Sequence, residues 1–222
     1  MNIFALSESP SQSAKEMLDK HIVKMPTETC QMLHTNILYF HYVSIYGVKP
    51  TLAELKEFHD FLNSKLMKPA MLNHPSTIWA RQSFANLEWL FEHGLSLCEE
   101  YTHRYGKKHG SHQRIMDCYA FDDRALQHKY PHSGLTPVTI AMDNSYRLDL
   151  DKYSQQNPNW TGWDFVIASY RHYYLEGKWQ FAEWKTTKPE WWPKNHIVKK
   201  HNERIVRYNA LGKTQLKLME EE

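Results

Sequence analysis

From Asp19 to Gln31 the chain reads Asp-Lys-His-Ile-Val-Lys-Met-Pro-Thr-Glu-Thr-Cys-Gln. On a helix the spacings of three, four and three bring His21, Lys24, Glu28 and Gln31 to one side. One carboxylate set between an imidazole, an amine and an amide can build a reaction site if a rigid element aims it at the core or a cleft. The opposite side carries Leu18, Ile22, Met25 and Thr29, followed by Met32 and Leu33. The same pattern also suits an ordinary amphipathic helix that turns its charges to water. Pro26 lies inside the stripe, where it lacks a backbone donor, and is expected to kink the helix or start a new one.

The elements that must position this stripe belong to a chain of 222 residues, long enough for one domain with extensions and a real core. Cys30, Cys98 and Cys118 are odd in number, far apart and without zinc-like spacing, so reduced buried thiols and no structural metal are expected. The start, Met-Asn-Ile-Phe-Ala-Leu-Ser-Glu, has no basic leader, and no stretch reaches the ~18 apolar residues of a membrane span. The expectation is a soluble, cytoplasmic protein with no membrane partner. A net charge of +2 does not by itself announce nucleic-acid binding. Fourteen histidines include the pairs His109 with His112 and His128 with His132, but neither pair has an evident third ligand.

Met1 to Leu6 is a short apolar run, read as a lone strand or an extended segment beneath the helices. The helical pattern begins at Ser11 or Ser13. Thr51-Leu-Ala-Glu54 is a capping box opening a helix to about Leu66, and Asn73-His74-Pro75 marks a turn. Ser76 is expected to cap one long helix ending at Tyr105, with Gly106 behind it. Trp79, Ser83, Asn86, Leu90, Leu97 and Tyr101 share a face there, with Glu88, Glu92 and Glu99 opposite. Ser83 and Asn86 need partners if buried, from the backbone or a neighbouring helix or else from a substrate. Gly106 to Asp164 reads as long loops with short helices.

Thr161-Gly-Trp-Asp164 opens a further helix to about Trp184, carrying Tyr170, Tyr173, Tyr174, Trp179 and Phe181. Arg171, Lys178 and Lys185, seven apart, would form a basic line beside Tyr174 and Phe181, a pattern suited to phosphates flanked by bases unless the aromatics are core. Past Pro193 the basic run to Lys217 suggests a peripheral helix. A helical catalytic-type domain over 1–193 and a basic extension over 194–222 are expected.

Several of these segments, taken in order, resemble phage-encoded proteins grouped with the pyrimidine-dimer DNA glycosylases, remote relatives of endonuclease V. They are Met-Asn-Ile-Phe; Asp19-Lys-His21 with Lys24 and Glu28; Asn73-His74-Pro75 with Trp79, Ser83 and Asn86; Glu99-Glu-Tyr101; and Arg104-Tyr-Gly-Lys107. The resemblance implies a mainly α, single compact helical domain with an extended N-terminal segment and long loops. It also implies an amine nucleophile at the start of the chain, here on Met1, with Glu28 as the glutamate that holds and protonates groups at the deoxyribose. Such an amine, with an unperturbed pKa of about 8, is partly neutral and can attack the sugar carbon. Asn2 is larger than the residues after which an initiator Met is usually removed, and Ile3 and Phe4 stand where the repair enzyme is basic.

The function the resemblance implies is a DNA glycosylase or AP lyase that flips a damaged or modified nucleotide into a pocket near Glu28 and His21. Lys20, Lys24, Gln31, His74, Arg81, Asn86, Arg104, Lys107, Arg171 and Lys178 are the expected substrate or DNA contacts, and no cofactor is expected. The modest charge and aromatic content also fit an enzyme acting on free nucleotides or nucleobases. A non-catalytic nucleic-acid- or protein-binding module is the third alternative. The sequence leaves the oligomeric state open.

Overall fold

Proline at position 26 does not stop the helix that carries it. In the computed structural model, which describes residues 2–118, 130–212 and 215–220, α2 runs unbroken over Asp19–Tyr46 with Pro26 inside. The helix does not restart at the proline. Ile22, Met25, Thr29 and Cys30 on either side of the proline are all buried, and that packing outweighs one missing backbone bond. A short α1 (Pro10–Glu16) precedes it, capped by Ser9.

The Thr51 capping box forms as read, with the Thr51 hydroxyl accepting the Glu54 amide and the Glu54 carboxylate accepting the Thr51 amide. Its helix, α3, covers Leu52–Phe61 and stops short of Leu66, because Asn63 turns into the left-handed region. The expected single helix from Ser76 to Tyr105 is two. His74 caps α4 (Pro75–Ala80), and Ser83 caps α5 (Phe84–Tyr105) by accepting the Asn86 amide. Gly106 closes α5 at φ 67°, the left-handed conformation glycine adopts at least cost. Beyond lie α6 (His112–Asp117), a 3-10 turn at Asn144–Tyr146 and α7 (Leu150–Gln156). His128 lies outside the described residues.

The second capping box, Thr161 with Asp164, opens α8 (Gly162–Tyr173). Instead of continuing to Trp184, the chain widens into a π turn at Tyr174–Lys178 and tightens into a 3-10 turn at Trp179–Phe181. Last comes α9 (His196–Ala210), fastened by Lys200 to Glu176 and by His196 to the Leu175 carbonyl. Residues 215–220 run back along α9, where Asn209 exchanges two hydrogen bonds with the Leu216 backbone and Asn202 two with that of Met219.

Among the described residues the fold is mainly α with no strand, a compact helical arrangement whose core lies where α5 packs along α1 and α2. That contact is close at Gly94, where a Cβ would stand 2.8 Å from the Thr29 Cγ2 and 3.2 Å from the Ile115 Cδ1. Ile3 to Leu6 are buried against these helices as an extended segment, with Phe4 at φ 50°. Cys30, Cys98 and Cys118 are free and buried, and burial pushes their thiols up to about 11, 12 and 12. No helix is long and apolar enough to cross a membrane among the described residues.

Candidate active site

The buried N-terminal segment ends at Asn2, which is bound on every side. Its side-chain carbonyl accepts from the Ile3 amide and from the Tyr170 hydroxyl at 2.8 Å, and its side-chain amide donates to the Ala141 carbonyl at 2.6 Å. Tyr170 in turn accepts the Ala141 amide. This clamp sets the Asn2 backbone nitrogen 3.0 Å from Glu28 Oε2. The other oxygen of Glu28 meets Lys24 Nζ at 2.9 Å, one helical turn back, with Lys24 largely in solvent. Met1, the expected nucleophile, lies outside the described residues.

His21 sits on the same side of α2 but is turned inward. Phe4 stacks on its ring at 4.2 Å, and its Nδ1 shares a 2.6 Å hydrogen bond with the Tyr174 hydroxyl. Burial, helped by Lys178 and Lys24, lowers its pKa to about 3, so the imidazole is neutral near pH 7. In the structure His21 packs under Phe4 and is held by the Tyr174 hydroxyl. Gln31, next in the stripe, donates to the Lys68 carbonyl at 2.7 Å and anchors the chain after α3.

The remaining expected contacts divide by place. His74 is near Glu28, whose carboxylate raises its pKa against the larger lowering by burial, and its Nδ1 accepts the Ser76 amide. Lys20 and Lys178 lie over the Phe181 ring at 4.8 and 5.9 Å, beside His21. Lys107 is exposed just past Gly106. Arg81 donates to the Leu72 carbonyl, lies over Tyr39 and helps line a different cavity of about 620 Å³ with Lys49 and His132.

Two expected contacts are buried and bonded within the fold. Arg104 is buried and spends its guanidinium on Asp19, Glu100 and the Met17 and Lys15 carbonyls, so it ties α5 to the start of α2. Asn86 is fully buried and bonds the Trp79 carbonyl and both the amide and hydroxyl of Thr136, which is an internal tie. The expected basic line is corrected. The π turn breaks its register, so Arg171 binds the Leu6 carbonyl and Glu16, Lys178 folds over Tyr173, and Lys185 lies over Tyr105.

Sequence reasoning missed the Asn2 clamp and its partner Tyr170; the one signal was a polar residue inside an apolar run. The Asn2 backbone N–H donates to the Glu28 carboxylate at the edge of the core, which fixes one carboxylate oxygen beside the start of the chain. A family model described as pyrimidine dimer DNA glycosylase matches residues 1–113. No curated protein and no solved structure matches the chain.

Proposed function

We propose, from the premise that the chain belongs to the pyrimidine dimer DNA glycosylase family, that it is a DNA glycosylase with AP lyase activity whose nucleophile is an amine at the start of the chain. One observation carries this reading: the 3.0 Å contact between the Asn2 backbone nitrogen and the Glu28 carboxylate. An amine there, on Met1 or on Asn2 once Met1 is cut away, would attack C1′ of the damaged nucleotide. The glycosidic C–N bond breaks, the base leaves with a proton, and the opened sugar remains bound as an iminium ion. Loss of a C2′ proton then expels the 3′ phosphate and cuts the strand. Glu28 would stabilise the positive charge and move these protons. Lys24 and His74 are among the charged and polar groups beside it.

The test is borohydride trapping on duplexes carrying an abasic site, a cyclobutane dimer or no lesion, with mass mapping of the adduct and of the N-terminal residue. The reading expects a covalent adduct on the first residue, lost in Glu28→Gln while lesion binding and the melting temperature persist. No adduct, together with turnover of free nucleotides that still needs Glu28, would replace it with the nucleotide-enzyme alternative.

A further inference from the structure

We propose that Tyr173 and Phe181, with Lys20 and Lys178, form a platform for an unpaired stretch of nucleic-acid strand beside the Glu28 site, an inference that rests on the reading above. These rings lie beyond the residues the family model matches.

The platform is built by the π turn that ends α8. Such turns are rare and appear frequently at functional sites. Gly177 makes this one possible: a Cβ there would fall 2.7 and 2.8 Å from Tyr173 ring carbons and 3.1 Å from Tyr146. The backbone is thereby pressed onto the ring, and Lys178 returns over Tyr173 at 4.5 Å. Phe4 joins the row on the inner side, 6.1 Å from Tyr173 and stacked on His21, with Phe181 at the far side of His21. Phe4, in the buried middle of the row, is two residues from Asn2 and its contact with Glu28. The two ends, Tyr173 and Phe181, are half-buried against the core, with Tyr146 tilted against Tyr173 at 4.9 Å.

Among the described residues neither Lys20 nor Lys178 forms an ion pair with a carboxylate. Both ammonium groups rest instead on the outer rings. An exposed contact of this kind is worth a factor of roughly 2 to 5 in an equilibrium. Stacking of one unpaired base on an aromatic ring is worth roughly 5- to 150-fold, so a strand that displaces the lysines from the rings gains more than it loses. The released ammonium groups then meet its phosphates. A base held in a duplex has no face to offer, which makes the platform selective for unpaired strand. A footprint for duplex phosphates alone would call for cations without the rings.

Anisotropy titrations with an undamaged single strand, a bubble duplex and a fully paired duplex test this. Tighter binding of single strand and bubble than of paired duplex is expected. Tyr173→Leu should weaken the first two by roughly 5- to 150-fold and the paired duplex by less than about twofold. Lys20→Gln/Lys178→Gln, with a melting curve to show that it folds, should reduce the single-strand salt slope by about 1.4. Equal losses on all three substrates, or an unchanged salt slope, would overturn the platform, whichever way Tyr173→Leu folds. These outcomes are independent of trapping: a platform without any borohydride adduct leaves strand selectivity standing and removes only the glycosylase chemistry.

Discussion

Asn2 spends every polar atom of its side chain on neighbours inside the protein, so the position of its backbone nitrogen is set by groups far along the chain. Tyr170 is the most telling of these, because its hydroxyl joins Asn2 to Ala141 and does not touch Glu28. Tyr170→Phe is expected to cost about 1–3 kcal/mol of stability by leaving buried partners unpaired. It should also slow adduct formation about a hundredfold, since ~1 Å of misplacement at a reacting centre has that effect. A melting curve and single-turnover trapping check both; a normal trapping rate in a destabilised variant would confine Tyr170 to the fold. This clamp was not legible in the sequence, where Asn2 is one polar residue among apolar ones and its partners are 139 and 168 positions away. The stripe containing Glu28 was legible, because helical spacing is local.

At the scale of elements, α2 and α5 approach one another where Gly94 meets Thr29. Alanine is the better helix former by about 1 kcal/mol, yet Gly94→Ala is expected to destabilise by about 1–3 kcal/mol because its Cβ would enter the space of Thr29 and Ile115. A lower urea midpoint with an unchanged slope is the expected result, and a raised midpoint would mean that the helices can part at no cost. Both capping boxes were readable because each needs only four residues. The break between α4 and α5 was not. The apolar face continues from Trp79 to Leu97 across it, and Ser83, which read as one more residue of that face, ends one helix and starts the next. The π turn was hidden for a similar reason: the seven-residue spacing of Arg171, Lys178 and Lys185 presumes a regular helix, which Gly177 and the Tyr173 ring replace.

Across the whole molecule, buried histidines couple stability to acid. Burial lowers His21 to about 3 and His93 to about 4, whereas an unfolded histidine titrates near 6.5. The unfolded chain therefore binds more protons below pH 6.5, and the stability present above that value is lost as pH falls toward 4. Between pH 7.5 and 5 each histidine should cost about 2 kcal/mol. Urea unfolding at the two values measures it, and equal stabilities would show that these rings are not held neutral.

The three buried thiols have a practical consequence. With their pKa values at about 11 and 12, the thiolate fraction near pH 7 is on the order of one in ten thousand or less, and the thiolate is what reacts. The folded chain is thus close to silent toward maleimide dyes. A single cysteine introduced on the exposed side of α9 would carry the label almost alone, and the unmodified chain would serve as its own blank.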